Sequence, residues 1–329
     1  MISLATSLVN DKVRKNVNAC LDENRIGGGR FIKEFEDKVA KYMGVKHAIA
    51  VCNGSMADIV ALATLKAQYP NKKEVIVPAL TFIAQTNAVL INGLKPVFVD
   101  ITEDFQMGEF KTNKNTLAVF PVHLLGKRCE IKSDVPIIED ACEAFGVWNK
   151  RDMATFSFFP SHTITTGEGG MIITNDDIHA EIARQLMNHG RKSDKILEKF
   201  HFDYLGFNGK MSNVLASIGC AVVEEADSVI KKRKENVELY NKLLKKDWYA
   251  ESPHCYPYLY KTSQERDESL IRLSENGIEA RKLFSCVPKT EYNFKGSYSI
   301  AEKIGKVGLF VPVHQDLSDD DIKKVVSLL

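Results

Sequence analysis

Strand-like and helix-like segments alternate along this chain. That alternation predicts an α/β fold: a large domain with a mostly parallel central sheet, and a small α/β domain at the C-terminal end. Three observations support the prediction. The apolar runs HAIAV, EVIVP, PVFVD, LAVFPVH and VPIIED have the length and β-branched content of buried strands. The segments between them carry helical spacing. A chain of 329 residues, 44% of them hydrophobic, is long enough for about two domains with a sizeable core. No Pro/Gly/Ser-rich linker separates the halves, so the domains are expected to share one long helix as a hinge. The expected division is 13–220 for the large domain and 221–329 for the small one, with residues 1–12 packing on the latter.

The elements are read in order. Over 31–44, Phe31, Phe35, Val39 and Tyr42 recur at helical spacing and Gly44 is the stop. HAIAV is a short buried strand, and a helix over 55–67 begins at the Asn53-Gly54-Ser55 turn. EVIVP is a strand, TFIAQTNAVLIN a helix, and PVFVD, LAVFPVH and VPIIED further strands. ATFSFF and GGMIIT read as a pair of strands, and IHAEIARQLMNHG as a helix with a glycine stop. From Met211 to Leu244 the pattern is helical and long, with Gly219 as the expected kink. Beyond it, short strands and amphipathic helices mix.

Composition narrows the function classes. The formal net charge is +1, and the densest basic run, Lys231-Lys232-Arg233-Lys234, is followed by Glu235 and Glu238. It reads as a solvated helix face rather than a nucleic-acid tail. No apolar stretch approaches the ~20 residues of a membrane span. The start, MISLATSLVNDKVRKN, lacks the pattern of a secretory signal, which makes the cytoplasm the expected compartment. Seven cysteines at wide spacing without a CxxC argue against a disulfide framework and a structural zinc site. They also lack the clustering an iron–sulfur centre needs, and no metal is expected.

Four segments carry chemistry. At Cys52-Asn53-Gly54-Ser55 a strand gives way to a helix, where free N–H groups and the helix dipole suit a phosphate; an ordinary capped turn is the plainer alternative. Phe82 follows a strand end and is placed either to stack on a flat ring or to fill core. In Ile137-Ile138-Glu139-Asp140, two apolar residues deliver a carboxylate to a strand's C-terminal end, where open α/β sheets bind ligands. Asp140 there can keep a pyridine nitrogen protonated, making the ring an electron sink, or can simply cap the next segment. The run from Phe156 to Gly170 brings Ser157, able to donate to a phosphate, and His162 to a Gly-rich turn; His162 is placed either as a general acid/base titrating near neutrality or as a structural histidine.

With these segments in sequence order, the chain resembles the DegT-type nucleotide-sugar aminotransferases, which are fold-type I pyridoxal-phosphate enzymes. The resemblance covers nearly the whole chain: GGGRFIKEFE, the NGS turn, EVIVPALTFIA, NGLKPVFVDI, PVHLLGK, IIEDACEAFG, FSFFPSHTITTGEGGMIIT, LGFNGKMS, GIEARKLF and VPVHQDLSDDDI. The family pattern has its Schiff-base lysine where this chain has His162. The branch with that histidine is the 4-keto-6-deoxyhexose 3-dehydratases (ColD-like), and SFFPSH, TGEGG and LGFNGK are similar to it. A second His-bearing branch has an iron–sulfur cluster on closely spaced cysteines, a spacing this chain lacks.

The resemblance implies roles. Gly54, Ser55 and Ser157 hold the phosphate, and Phe82 stacks on the pyridine ring. Asp140 pairs with the ring nitrogen, and Glu143 lies near the ring hydroxyl. Asn208 reaches the phosphate of a neighbouring subunit, so the active unit is a homodimer with shared sites. Lys210 stands where most of the family's aminotransferases have Arg, and Arg281 lies in a segment that approaches substrate. The cofactor is pyridoxal 5′-phosphate (PLP), alternating with its pyridoxamine form (PMP). The activity implied is 3-dehydration of a nucleotide-linked 4-keto-6-deoxy sugar, with His162 as base and then acid and glutamate as amino donor. An aminotransferase acting without the lysine is the alternative, and a non-catalytic binding or regulatory member is the third reading. The chain departs from the family by trimmed segments between His123 and Glu139, between Gly146 and Thr155, and after Arg191.

Overall fold

The structure, a computed structural model, describes residues 1–193 and 195–329. The chain runs α1 (Asp11–Asp22), α2 (Arg30–Met43), β1 (His47–Val51), α3 (Gly54–Gln68), β2 (Glu74–Pro78), α4 (Ile83–Ile91), β3 (Lys95–Val99), β4 (Thr116–Val119), β5 (Ile138–Asp140), β6 (Met153–Ser157), β7 (Gly170–Thr174) and α5 (Asp177–Leu186). It continues through α6 (Asn213–Val222), α7 (Ala226–Leu244), β8 (Tyr256–Leu259), α8 (Ser263–Glu275), β9 (Arg281–Lys282), α9 (Val287–Thr290), α10 (Ser299–Val307), β10 (Gly308–Val311) and α11 (Asp319–Leu328).

The mostly parallel sheet is present. β3, β2 and β4 pair in parallel, and so do β5 and β6. Parallel bridges Val119↔Ile137 and Val122↔Asp140 join the two groups along the β4–β5 edge. β7 pairs with β6, as expected of the ATFSFF/GGMIIT pair, and runs antiparallel to both its neighbours, β6 and β1. The strands are buried almost throughout, which is why they read as continuous apolar runs rather than alternating ones. A second, antiparallel sheet of order β8-β10-β9 packs its own core of Tyr256, Leu309 and Val311 against Val237 and Tyr240 of α7. Near the start of the chain, Ile2 bridges to Ile278 beside this sheet, and Leu4 joins a cluster between the sheets with Ala79, Leu80 and Phe310.

Local chemistry sets the boundaries. Gly44 ends α2 at φ 65°, the left-handed region that favours glycine. Asn53 caps α3, its side chain accepting from the Met56 amide at 2.8 Å. Between His123 and Glu139 the connection is reduced to a single 3-10 turn, Leu124–Gly126.

Three expectations need correction. The break in the long helix is a 3-10 turn at Val223–Glu225, not at Gly219. Gly219 is helical and absent a side chain for packing: a Cβ there would sit 2.7 Å from the Phe35 ring. The helix of IHAEIARQLMNHG ends at Leu186, ahead of Gly190, because the returning LGFN segment takes its last carbonyls. Phe207 N–H donates to Leu186 O at 2.7 Å. Finally, the basic run of α7 is not wholly solvated, since Arg233 is only 1% exposed.

Candidate active site

A cleft of about 410 Å³ opens where the strand ends of the large sheet face the small one. Gly54, Ser55, Phe82, Asp140, Glu143, Ser157, His162 and Arg281 all line it. The topology brings together residues spread over more than two hundred positions because the parallel strands deliver their C-terminal ends to one edge.

At one end, the first residues of α3 present amide groups that no intrahelical carbonyl can satisfy. Gly54 is pressed against β6: a Cβ there would lie 2.6 Å from Ser157 Cβ. That approach sets the Ser157 hydroxyl beside the helix N-terminus, a combination suited to a phosphate. Phe82, 58% exposed at the start of α4, projects into the cleft with its ring centroid 5.9 Å from that of Phe284. Two further lining residues, Thr81 and Gln85, have buried oxygens (Oγ1 and Oε1) with no hydrogen-bond partner among the described residues.

Strand alternation separates the two acids at the end of β5. Glu139 points away from the cleft and is fully buried. It accepts from the His123 ring Nε2 at 2.8 Å and from the Asn149 amide at 2.9 Å. The Cys129 amide donates to His123 Nδ1, which fixes the ring proton on Nε2. Asp140 points into the cleft, accepting from the Cys142 amide at 3.1 Å. Burial raises its pKa. Glu143, in the turn that follows, accepts from the Leu125 amide at 2.7 Å, and burial pushes its carboxyl up to about 8.

His162 is half-buried and also lines the cleft. Its Nδ1 lies 3.1 Å from Ser157 O; a carbonyl only accepts, so Nδ1 carries the proton and Nε2 holds the lone pair. A pKa near neutrality was expected. Loss of hydration instead draws the imidazole down to about 4, with Arg233 adding to the effect against the Ser157 hydrogen bond. The resting ring is therefore an unprotonated base rather than a half-charged acid/base.

Three residues of the site have no counterpart among the sequence-derived candidates. His254 stands with its ring 5.2 Å from that of His162 and its Nε2 3.7 Å from Glu143 Oε1. Burial, with His162 and Arg233 nearby, holds it well below the usual histidine range. Arg233 reaches in from α7 and donates to the carbonyls of Pro253, His254 and His162 at 3.1–3.2 Å. Burial lowers its pKa to about 10. Asp58, one turn into α3, is 1% exposed and accepts from the Thr155 hydroxyl at 2.7 Å.

Asn208 and Lys210 are not brought into this cleft. They line a separate depression of about 640 Å³ with Gly27, Gly29, Glu36 and Arg184. There Lys210 Nζ donates to Asn208 Oδ1 at 2.7 Å and to Asn188 Oδ1 at 3.1 Å. Arg281 is in the cleft, on the exposed face of β9, with its guanidinium 2.9 Å from Glu279 Oε1.

Fold and cleft together are those of a fold-type I pyridoxal-phosphate enzyme. The chain belongs to the DegT/DnrJ/EryC1/StrS aminotransferase family, whose model matches residues 8–329. It is similar to the GDP-perosamine synthase of Caulobacter vibrioides, with 35% identity over 365 residues covering 100% of this chain and 97% of the relative. It is also similar to the GDP-4-keto-6-deoxy-D-mannose 3-dehydratase of Yersinia pseudotuberculosis, at 28% identity over 99% of this chain and 97% of that one. Among solved structures, the E. coli GDP-4-keto-6-deoxy-D-mannose-3-dehydratase with bound hydrated PLP matches with a TM-score of 0.92 and 26% identity, covering 100% and 99% of the two chains. Among the described residues, no helix is long and apolar enough to cross a membrane.

Proposed function

We propose that the protein is a 3-dehydratase of a nucleotide-linked 4-keto-6-deoxy sugar, with His162 as its acid/base. Its cofactor is PLP, alternating with PMP. The cleft fits that group: the α3 N-terminus and Ser157 for the phosphate, Phe82 for the ring face and Asp140 for the ring nitrogen. The unpartnered oxygens of Thr81 and Gln85 add polar contacts facing the same space.

One observation carries the reading. Among the described residues lining the cleft there is no lysine, and the imidazole of His162 stands in the wall with its Nε2 lone pair free. An imidazole has no primary amine with which to tether an aldehyde, but it can move protons. When bound, the cofactor supplies an electron sink and, as PMP, an amine that reacts with the C4 ketone.

The residues then divide the work. Asp140 presents negative charge to the ring nitrogen and keeps the sink electron-poor. His162 Nε2 accepts a proton from an activated carbon. The ring so charged is a strong acid, because its surroundings disfavour the imidazolium, and it gives the proton to the departing C3 hydroxyl. The C3–O bond breaks and the hydroxyl leaves as water; a second water then hydrolyses the C4–N bond, which releases ammonia, restores the C4 ketone and leaves a 3-deoxy sugar. Glutamate is the amino donor that restores the amine. Arg233 holds the His162 and His254 backbones in place while opposing protonation of both rings. Asn208 and Lys210, outside the cleft, support a homodimer in which each copy completes the other's site.

A second reading, sugar transamination, is favoured by the higher identity to GDP-perosamine synthase than to the dehydratase, 35% against 28%. Incubation with PLP, glutamate and a panel of 4-keto-6-deoxy nucleotide sugars, followed by mass spectrometry, separates the two. A deoxy sugar with free ammonia is the expected result; an amino sugar as the product would refute the dehydratase.

A further inference from the structure

Asp58 has no role in the reaction just described, yet it is among the most deeply placed groups in the cleft wall. It lies on α3 four residues beyond Gly54, so it faces the same side of the helix as the phosphate end of the site. Its carboxylate, that of Asp140 and the Cys142 thiol all lie within 4.8 Å of one another. The only hydrogen bond to the Asp58 side chain among the described residues is from the Thr155 hydroxyl.

We propose that Asp58 and Asp140 hold a single proton between them, carried on Asp58, and that Asp58 is a positioning residue for Asp140. As a neutral acid, it leaves Asp140 as the one full negative charge at that end of the cleft. This rests on the cofactor-facing role of Asp140 given above.

Two carboxylates at this separation, both out of water, do not both ionise. The surroundings decide which keeps the proton. Asp140 accepts a backbone N–H from Cys142 and has His123 behind it, and both favour its charged form. Asp58 has only a neutral hydroxyl, and Asp140 itself opposes its ionisation. The other ionisable groups on this side, Cys142 and Glu143, add no positive charge. The Cys142 thiol is pushed well up by burial and by the neighbouring acids, and burial likewise raises the Glu143 carboxyl. Of the other elements packed on α3, α4, β4, β6 and β7 contain no ionisable residue; Glu139 of β5 faces the other way, onto His123, His47 of β1 is engaged by Asp177, and His179 of α5 meets α3 at the far end, on Gln68.

The direct test uses the cofactor-free protein, so it does not depend on the assigned reaction. Aspartate labelled with carbon-13 at Cγ is followed by NMR between about pH 5 and pH 9, a range in which ordinary aspartates are fully ionised. One aspartate resonance at the protonated-carboxyl position at pH 7 is expected, absent from Asp58→Asn and displaced in Thr155→Val. If every aspartate is ionised at pH 7, or the protonated signal survives Asp58→Asn and vanishes in Asp140→Asn, the proposal is overturned. Thr155→Val and the wild-type titration keep the test decisive if Asp58→Asn folds poorly.

The second arm uses PLP-loaded protein. Asp58→Asn, a permanent neutral isostere, should keep the wild-type cofactor absorbance and affinity between about pH 6 and pH 8, whereas Asp140→Asn should lose them. Equal losses in the two variants would mean that Asp58 acts as a second charge and would refute the proposal. If the NMR result holds while Asp140→Asn leaves the cofactor spectrum unchanged, the ring-nitrogen role of Asp140 fails instead.

Discussion

The sharpest consequence of the site concerns His162 and pH. Replacing His162 by Asn removes the proton carrier but keeps an amide that can donate to Ser157 O, the partner of Nδ1 at 3.1 Å. Fold stability should therefore change by no more than about 1 kcal/mol, the net worth of one hydrogen bond. Cofactor binding should survive. Turnover should fall about 100- to 10,000-fold, the range for losing a general acid/base. That equals about 2.7–5.5 kcal/mol of barrier. The wild-type pH profile is a second and independent check. A solution-like histidine would lose its basic form around pH 6.5, whereas this one stays unprotonated down to about 4. Hence kcat/KM should be flat from about pH 7 down to about pH 5, falling only below that. The assay is product formation from the 4-keto-6-deoxy sugar followed by mass spectrometry over that pH range. An acid limb centred at about 6.5, or an Asn variant within about threefold of wild type, would refute the role given to His162.

Glu143 provides a stability test on the cofactor-free protein. Its folded value, about 8, lies above the ordinary 4.5, so the native state binds the proton more tightly than the unfolded chain. Its contribution is full below the ordinary value and is lost as pH rises through about 8. At about 1.4 kcal/mol per pH unit the loss across that window is on the order of 5 kcal/mol. Denaturant melts of Glu143→Gln should lack this decline, and equal slopes for the two proteins would contradict the assignment. Borohydride reduction of the PLP-loaded protein should leave no cofactor on any lysine, while His162→Lys should give an adduct at position 162; tryptic mass spectra decide, and an adduct in the wild type would overturn the reading. Sedimentation should show a homodimer, and a fully active monomer would exclude a shared site.

Much of the fold was legible because it depends on local patterns. Buried strands leave continuous apolar runs, Asn53 and Gly44 mark helix ends, and the order of segments fixes the family. That Gly54, Ser55, Asp140, Ser157 and His162 would meet in one cleft was legible for the same reason, since each sits in a short segment at a strand end. What escaped was contact between distant segments. His254 lies in SPHCYPYLY, where nothing local distinguishes it, and it enters the cleft only because β8 follows α7 back to the strand ends. Gly219 looked like a helix break, but its lack of a side chain serves the Phe35 ring, far earlier in the chain, through α2–α6 packing.

Arg233 was partly recoverable. It falls in a stripe with Val229, Asn236, Val237 and Tyr240, all buried on one face of α7, so helical periodicity contradicts a wholly solvated basic run. Its charge acts on the two imidazoles of the cleft. In water at neutral pH, carboxyls are charged and imidazoles are partly so. Here Asp58 and Glu143 are pushed toward their neutral forms, and His162 and His254 are kept from gaining a proton, in part by Arg233. A site arranged this way has an imidazole lone pair available over a wide pH range. It also makes that imidazole, once protonated, quick to give the proton up. Those are the two properties a single side chain needs if it is to take a proton from carbon and hand it to a leaving hydroxyl. Burial is the main cause of both, and the cation that reinforces it sits on the helix whose later turns pack under the small sheet, so the packing of the two sheets and the proton affinity of the two imidazoles share one element.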